Sequence, residues 1–456
     1  MYHSRPGTVV ILQETGRAVT GSGVMMKAKP AKSDQGNFLY EDLIDQLNPK
    51  DPLLKLAANI PWERFEQEFS SLYSEYGRPA KPIRLMVGLM ILKQLENLSD
   101  ERVIEAWVRN PYYQAFCGET HFRWRLPCDP TDLVYFRKRI GEGGARLIFE
   151  VSVGLHGDDA MEREIAVDTT VQEKNITFPT DVKLLTKVIK RCRAIAEFEG
   201  ISLRRSFRRE LPGLLRQRFK SRKIIKRIRT MAGVLIRELE RKLPRDSLAR
   251  HREAMQLFRR VHDQKRTDKN KIYSLHEPDV LCIGKGKEHK KYEFGRKASI
   301  AWTKTTGVIV GAMSFKENVF DGHTLPDVLE QVSQITESCP EAAICDRGYR
   351  GRKKVGDTSI LIPGRPKKSD TPYQRRKARQ RFRRRAGIEP VIGHLKHDFR
   401  MAKNFLKGAL GDAINLLMAA AAFNFKKWMR GLKHFLSLFA PWLCFGTWSR
   451  GRLKYA

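Results

Sequence analysis

Three acidic residues stand where an ordinary solvated carboxylate is not expected. Asp168 interrupts a run of apolar and β-branched residues that is typical of a strand. Asp346 follows a second short apolar run, and Glu389 follows a segment that contains eleven Lys and Arg residues between Arg365 and Arg385. Burying a lone carboxylate as an anion costs several kcal/mol unless it is paired or bound to a metal ion. The three positions are therefore candidates for one shared chemical site.

Carboxylates at the ends of two neighbouring strands and on a facing helix predict a site for Mg²⁺. Magnesium prefers oxygen ligands and is commonly held by one or two carboxylates together with water and phosphate oxygens. Two such ions, ~3.5 to 4 Å apart, stabilise both the attacking and the leaving oxygen of a phosphoryl displacement. We therefore expect Asp168, Asp346 and Glu389 to be catalytic residues and ligands of two Mg²⁺ ions, for which Mn²⁺ could substitute.

Each carboxylate also has a purely structural interpretation. Asp168 could be satisfied by the two threonines that follow it, and Asp346 could be an ordinary turn residue. Glu389 could form a salt bridge with Arg385, four residues earlier on a helix. The shared site is favoured because one bound cation explains all three positions together.

The charge of the chain indicates a polyanionic partner. Its 456 residues include 86 Lys and Arg and 51 Asp and Glu, which gives a formal net charge of +35, and 41% are hydrophobic. A chain with this apolar content can build a core, and so large a positive excess favours nucleic acid as the partner. The excess is concentrated in residues 181–270, with 28 basic and 10 acidic residues, and in residues 364–400, with 13 basic and 3 acidic residues.

Cysteine usage and hydropathy disfavour several classes of protein. Seven Cys residues are scattered without a CxxC pair, which favours reduced thiols in a cytosol over a disulfide framework. The first residues lack the apolar core of a signal peptide, and no run reaches the ~18 apolar residues of a membrane-spanning helix. The closest approach, Ala413–Phe425, is interpreted as a buried core helix. We expect a soluble, cytoplasmic protein with no membrane partner.

Composition and periodicity divide the chain into an arm, two domains and a tail. Residues 1–36 lack periodicity and are expected to be a disordered arm. Residues 37–150 have apolar residues at helical spacing and are predicted to form an all-α N-terminal domain. Residues 160–432 are predicted to form the catalytic domain, interrupted by a basic helical insertion over residues 181–290, and residues 433–456 are left as a C-terminal tail.

The second domain has the element order of an α/β fold. Its predicted order is strand, basic insertion, two strands, helix, strand, strand and helices, which is typical of a mixed sheet flanked by helices. Strands are predicted over residues 164–171, 298–303, 308–314, 342–345 and 359–362. Helices of the first domain are predicted over residues 61–76, 82–95 and 99–108, and from residue 129 to a break before residue 141.

Two other groups of residues could bind a metal ion but match known sites poorly. Cys117, His121 and Cys128 supply three zinc ligands without a fourth at a common spacing. His394 and His397 lie three residues apart and lack the HExxH spacing of a zinc enzyme. We expect these two histidines to form local hydrogen bonds or phosphate contacts, and we expect no zinc site.

Motifs spread over most of the chain resemble one protein family. They are Gly77–Gly118, Val167–Val171, Asp346–Gly351, the spaced triplet Arg385-x3-Glu389-x6-Lys396, and Gly408–Asn415. Together they make the sequence similar to bacterial insertion-sequence transposases of the DDE type, in particular the insertion-sequence-five branch and its insertion-sequence-four-like neighbours. The chain departs from the family pattern at Phe382, where the family often has a tyrosine.

The resemblance implies a ribonuclease-H-like core. Asp168 would lie on its first strand, Asp346 after its fourth strand, and Glu389 on a helix packed behind the sheet. The implied activity is DNA transposition: the enzyme would bind the terminal inverted repeats of its insertion sequence and catalyse Mg²⁺-dependent strand cleavage and strand transfer. The implied partners are double-stranded DNA and, in the DNA complex, a second copy of the chain, at the bacterial nucleoid.

Basic residues near the second and third motifs are the expected DNA contacts. Arg385 and Lys396 would bind phosphates that flank the cleavage site, and Arg347 and Arg400 are further candidates. The N-terminal helices and the basic insertion would hold duplex DNA.

Two alternatives to an active transposase remain. One is a catalytically silent, transposase-derived DNA-binding protein, which the presence of all three carboxylates disfavours. The other is a related metal-dependent nuclease, which only a strand-transfer assay would distinguish.

Overall fold

The computed structural model describes residues 42–445, apart from 75, 77–78, 218–220, 266, 285–289 and 367–368, with side chains up to residue 431. The expected N-terminal arm, residues 1–36, lies outside the described residues, and so do residues 446–456 of the expected tail. The architecture is a mixed sheet flanked by helices. The predicted α/β class is therefore confirmed.

The N-terminal part of the described chain is helical. Its helices are α1 (Pro52–Asn59), α2 (Trp62–Ser70), α3 (Ile83–Leu95), α4 (Asp100–Arg109), α5 (Pro111–Phe116) and α6 (Pro130–Gly154). Polar caps explain several starts: Ser99 accepts a hydrogen bond from the backbone N–H of Arg102 at 3.2 Å, and Asp129 forms a capping box at α6. The buried faces of these helices share one hydrophobic core with the sheet.

Two of these helices differ in extent from their predictions. α2 ends at Ser70 rather than at Tyr76, because the serine hydroxyls at its end donate to carbonyl oxygens three residues earlier, at 2.9 and 3.0 Å. The sequence predicts that the helix from residue 129 ends before Gly141, which is wrong: the backbone breaks there, with a φ of 62°, but a second helical segment continues to Gly154. That continuation forms because the apolar residues after the glycine are buried in the core.

A seven-stranded sheet forms the centre of the second part. Its strands are β1 (Glu164–Glu173), β2 (Leu281–Gly284), β3 (Tyr292–Thr303), β4 (Ile309–Phe315), β5 (Ala342–Ile344), β6 (Lys354–Val355) and β7 (Thr358–Leu361). The order is β2-β3-β1-β5-β7-β6, and β4 also pairs with β3. β1 is antiparallel to β3 and parallel to β5. The sequence does not predict β2 and β6, because such short strands show too little alternation.

The interval between β1 and β2 is helical and has a core of its own. Its helices are α7 (Asp181–Phe198), α8 (Glu210–Arg216), α9 (Arg222–Lys242), α10 (Arg245–Arg250) and α11 (Arg252–Asp263). Their buried apolar residues, among them Val188, Ile228, Leu235 and Phe258, form a cluster separate from the main core. The many basic side chains of this interval therefore lie around a small helical bundle that interrupts the sheet.

The remaining helices cover both faces of the sheet. They are α12 (Leu325–Thr336), α13 (Pro372–Arg385), α14 (Ile388–His397) and α15 (Gly408–Phe445). α12 approaches β4 closely at Gly311, where an added Cβ would stand 2.9 Å from Val332. α15 lies on the opposite face, where Gln172 of β1 donates to the carbonyl oxygen of Asp412 at 3.0 Å.

The most apolar helix is part of the core. By length and composition, residues Gly408–Gly431 of α15 could cross a membrane, but 78% of the apolar window is buried inside the structure. This segment packs against α3, α6 and β4. The structure thus agrees with the interpretation of Ala413–Phe425 as a core helix.

A buried charged cluster ties the ends of the helical insertion to the sheet. Asp412 forms salt bridges with Lys174, just after β1, at 3.0 Å and with Arg296 of β3 at 2.9 Å. Lys174 also lies 3.5 Å from Glu277, close to the start of β2. These charges are buried, and pairing with one another offsets the energetic cost of their burial. The pairs also fix the positions at which the chain leaves the sheet after β1 and returns to it before β2.

Candidate active site

β1 and β5 bring the first two carboxylates side by side. Their parallel pairing matches Ile165 with Ala343 and Ala166 with Ile344. Asp168 lies two residues beyond Ala166, and the second aspartate, Asp346, lies two residues beyond Ile344. The two aspartates thus occupy equivalent positions just beyond the last paired residues, and the charge of Asp346 acts on Asp168.

Asp168 is largely buried and is held by one cation. Its Oδ2 accepts a hydrogen bond from Nη2 of Arg385 at 2.9 Å, and its Oδ1 accepts one from the backbone N–H of Thr169 at 2.8 Å. Burial raises the pKa of Asp168 to about 6; Arg385 acts against that rise, while the charges of Asp346 and Glu389 add to it. The charges of Asp346 and Glu389 thus both act on Asp168.

Asp346 caps the 3₁₀ turn that follows β5. The turn spans Arg347–Tyr349, and Oδ1 of Asp346 accepts from the backbone N–H of Gly348 at 2.8 Å. A Cβ on Gly348 would stand 2.9 Å from that oxygen and 3.1 Å from Oδ2 of Asp321. The glycine therefore leaves room for two carboxylates, and its N–H orients one of them.

Glu389 is exposed in the first turn of α14. Pro390 follows it in the same turn. Backbone N–H groups in the first turn of a helix have no partner within the helix, so a proline there costs no helical hydrogen bond. The helix packs against β1, and its buried residues Ile388, Val391 and Leu395 form the predicted apolar stripe. The position of α14 beside β1 is what directs Glu389 towards the two aspartates.

α13 contributes arginines that bind β1. Arg381 donates to Glu164 at 2.8 Å, and Arg385 donates to Asp168 one helical turn later. Among the described residues, Arg385 forms no salt bridge with Glu389, so the local interpretation of that carboxylate does not hold. None of the side chains of α13 is fully buried, and the helix presents a strongly basic surface beside the carboxylates.

The donor set suits a hard divalent cation. Three carboxylates supply the oxygen ligands that Mg²⁺ prefers, and a cation would relieve the repulsion that helps to raise the pKa of Asp168. As they stand, no three His, Cys, Asp or Glu side chains in the described part of the chain are close enough to hold an ion together. Arg385 lies against Asp168, so a metal ion bound there requires the arginine to move.

Comparison with known proteins identifies the family. A transposase domain model (DUF772) matches residues 41–139, and a transposase DDE domain model matches residues 257–425, which include Asp346 and Glu389 and begin after Asp168. A protein of Rhizobium meliloti, named uncharacterized protein ORF8 in nfe locus, is 42% identical over 189 residues, which are 40% of this chain and 91% of that protein. The chain belongs to the insertion-sequence DDE transposases. No solved structure matches the transposase significantly.

Family membership and the sheet together confirm the expected core. The sheet is mixed and flanked by helices, and the transposase DDE domain model covers the chain from β3 into α15. Both observations agree with a ribonuclease-H-like core. The protein is accordingly an enzyme of the transposase class, and its family implies DNA as a partner.

Two of the predicted DNA contacts of the transposase lie near the carboxylates. Lys396 stands on α14, seven residues after Glu389, and is partly buried. Arg347 directly follows Asp346 and is exposed. Both side chains thus belong to the elements that carry the second and third carboxylates.

Arg400 is placed differently from its prediction. The sequence predicts that Arg400 contacts DNA together with residues on the helix of Glu389, but α14 ends at His397 and Arg400 follows it with a φ of 62°. Its Nη1 donates to the carbonyl oxygen of Asn97 at 2.9 Å, and its guanidinium lies 5.5 Å from the ring of Phe405. Arg400 therefore joins the catalytic part of the transposase to its N-terminal helices instead of lying in line with Glu389.

The weaker metal candidates have local partners. Cys117 and Cys128 are buried in the N-terminal core, and burial raises the pKa of the Cys128 thiol to about 12. His121 lies 3.0 Å from the hydroxyl of the preceding threonine. His394 pairs with Asp398 at 2.7 Å on the last turn of α14, as the expected local hydrogen bond.

Sequence reasoning missed Asp321. This residue lies in the 3₁₀ turn before α12 and accepts a hydrogen bond from Thr169, the residue after Asp168. Its segment lacks the periodicity that marks a strand or a helix. The one signal in the sequence is its place shortly before the helix predicted between the third and fourth strands, which does not distinguish it from a capping residue.

Proposed function

We propose that this transposase binds the terminal inverted repeats of its insertion sequence and catalyses Mg²⁺-dependent DNA strand cleavage and strand transfer. The observation that carries the proposal is the parallel pairing of β1 with β5, after which Asp168 and Asp346 each follow two residues later, with Glu389 close enough to influence the pKa of Asp168. An arrangement in which the charges of two carboxylates raise the pKa of a third has no evident structural purpose, because it raises the energy of the folded protein.

Asp168, Asp346 and Glu389 would hold the metal ions. Bound there, Mg²⁺, or Mn²⁺ in its place, would stabilise the negative charge that develops on the attacking and leaving oxygens of a phosphodiester. Asp168 must be ionised to serve as a ligand, which its pKa of about 6 allows at neutral pH. Water would be the first nucleophile, and the freed 3′-hydroxyl the second.

The basic residues would position the phosphodiester. Arg385 already lies against Asp168 and would exchange that carboxylate for a DNA phosphate, and Lys396 would bind a single phosphate oxygen. Arg347, exposed beside Asp346, would contact the backbone next to the scissile bond. For Arg400, which is bound to the N-terminal helices, we propose a role in orienting those helices on DNA.

Duplex DNA would be held by two further regions. Residues 37–150 form the proposed N-terminal DNA-binding domain, and the insertion between residues 181 and 290 carries a large share of the net charge of +35. We further propose a homodimer in the DNA complex, a place in the bacterial cytoplasm at the nucleoid, and membership of the insertion-sequence-five branch.

The test is a comparison of cleavage with binding. Asp168→Ala, Asp346→Ala and Glu389→Ala should each abolish Mg²⁺-dependent cleavage of DNA that carries the element ends, while gel-shift affinity for that DNA stays within about threefold of wild type, because metal ligands and not phosphate contacts are removed. Asp327→Ala, an exposed residue of α12, is the matched control.

The alternatives predict other outcomes. A catalytically silent DNA-binding protein would bind element ends without cleaving them in any variant. A nuclease would cleave but would not join the 3′-hydroxyl ends to target DNA. Parallel loss of binding and cleavage in the three variants would indicate that the carboxylates are structural.

A further inference from the structure

Asp321 connects two strands beside the catalytic aspartates. Its Oδ1 accepts hydrogen bonds from the hydroxyl of Thr169 on β1 and from Nζ of Lys297 on β3, both at 2.8 Å. The hydroxyl of Thr324 holds the backbone carbonyl of Asp321 at 2.7 Å. The carboxylate is therefore fixed in position, and one of its partners directly follows Asp168.

The other oxygen of Asp321 faces the turn that carries Asp346. The position of a Cβ on Gly348 is 3.1 Å from Oδ2 of Asp321 and 2.9 Å from Oδ1 of Asp346. Both carboxylates therefore pack against the same glycine from neighbouring directions. The N–H of that glycine donates to Asp346, so a shift of Asp321 would move the group that orients the second catalytic carboxylate.

A buried tyrosine lies among the same groups. Tyr349 is fully buried, and its hydroxyl has no hydrogen-bond partner among the described residues. Burial raises the pKa of Tyr349, and the charges of Asp168, Asp321 and Asp346 raise it further. The charges of the three aspartates thus act on one phenol, and Asp321 shares this effect with Asp168 and Asp346.

The charge of Asp321 is compensated within the fold. Lys297 is only 12% exposed and donates to Asp321 and to the carbonyl oxygen of Val319, at 2.8 and 2.6 Å. Asp321 and Lys297 together add no net charge to the metal site. Replacing the aspartate by a neutral residue would leave a buried positive charge beside ligands that must bind a cation.

We infer that Asp321 is a positioning residue of the active site, which sets the spacing of Asp168 and Asp346 for the metal ions through Thr169 and Gly348 and neutralises Lys297. This inference rests on the proposed function. Residues that support metal ligands without touching the ion often change metal affinity or activity by about 10- to 100-fold when they are replaced.

The experiment measures metal binding apart from catalysis. Mn²⁺ binding to the full chain without DNA is followed by electron paramagnetic resonance, and single-turnover cleavage of element-end DNA is measured against Mg²⁺ concentration. Asp321→Asn should weaken Mn²⁺ binding and raise the half-saturating Mg²⁺ concentration by about 10- to 100-fold, with DNA affinity unchanged. Asp327→Asn on the exposed face of α12 is the control and should match wild type.

A second substitution separates positioning from folding. Adding Lys297→Met to Asp321→Asn removes the uncompensated charge and should recover part of the Mn²⁺ affinity, which loss of a direct ligand would not allow. Thr169→Val removes one hydrogen bond of Asp321 but keeps its salt bridge, so it remains testable if Asp321→Asn does not fold. Like Asp321→Asn, Thr169→Val should raise the half-saturating Mg²⁺ concentration, by several-fold.

The outcomes distinguish this inference from the proposed function. Wild-type Mn²⁺ binding and cleavage in both Asp321→Asn and Thr169→Val would overturn the inference and leave the proposed function intact. No recovery in the double variant would overturn the positioning role in favour of direct ligation. Absence of Mn²⁺ binding and cleavage in the wild-type protein would instead contradict the proposed function.

Discussion

Removing Arg385 should tighten metal binding in the absence of DNA. Its Nη2 donates to Oδ2 of Asp168 at 2.9 Å, and the two side chains are only 14% and 16% exposed. A metal ion must displace this guanidinium before it can use the carboxylate. We therefore expect Arg385→Gln to bind Mn²⁺ more tightly than wild type, although the substitution removes a residue proposed to assist cleavage.

The magnitude follows from the contact that is lost. A hydrogen bond to a charged group contributes about 1.5 to 3 kcal/mol, which corresponds to roughly 10- to 100-fold in affinity. A second effect opposes the gain, because Arg385 holds the pKa of Asp168 below the value that burial alone would give. Without the arginine a proton competes more strongly, so the comparison belongs at pH 8, where the carboxylate is ionised in both proteins.

The assay is Mn²⁺ titration of the DNA-free protein, with single-turnover cleavage measured beside it. Arg383→Gln, two residues earlier on the exposed side of α13, is the matched control and should leave Mn²⁺ affinity unchanged. Arg385→Gln should cleave more slowly than wild type despite its higher metal affinity, because its phosphate contact is lost. Equal Mn²⁺ affinity in wild type and Arg385→Gln would refute the reasoning.

Two further predictions concern the same site. Asp168→Asn should stabilise the folded protein by about 2 to 3 kcal/mol at pH 8, because the pKa of Asp168 is about 6 in the fold and 3.8 in the unfolded chain, so that ionisation is unfavourable in the fold. This gain, measured by urea unfolding, should shrink as the pH falls from about 6 to about 4. Lys396→Ala should slow single-turnover cleavage by roughly 10- to 100-fold if it loses a charge-assisted phosphate contact. Lys403→Ala, an exposed lysine seven residues further on, is its control, and equal effects of both would exclude a specific role.

The parts of the site that the sequence predicts are those fixed by strand geometry. Asp168 and Asp346 each interrupt or end an apolar run, and such runs place their side chains by alternation alone. Once the two strands are parallel neighbours, their pairing brings the chain segments that carry the two aspartates to the same end of the sheet. Glu389 is predictable for a similar reason, because the apolar stripe of its helix defines which side packs on the sheet.

The parts that the sequence does not predict depend on contacts between distant segments. Four-residue spacing predicts that Arg385 pairs with Glu389 on one helix. α13 instead ends at Arg385 and α14 begins at Ile388, and Arg385 pairs with Asp168 across the structure. Arg400 fails as a continuation of α14 because its backbone turns left-handed after the helix ends. Asp321 has no local signal, since its role comes from side chains on two strands that are remote in sequence.

The charges around the site indicate how binding of metal and DNA would be coupled. In the free protein Arg385 partly compensates the negative charge of Asp168, and Lys297 compensates that of Asp321, which limits repulsion between the carboxylates. A metal ion must therefore compete with the guanidinium of Arg385 for Asp168. A DNA phosphate offers Arg385 an alternative anion, which frees Asp168 for the metal ion. DNA should therefore raise metal affinity, and by linkage the metal should raise DNA affinity by the same factor. This reciprocity would restrict strand cleavage to protein that has already bound its DNA.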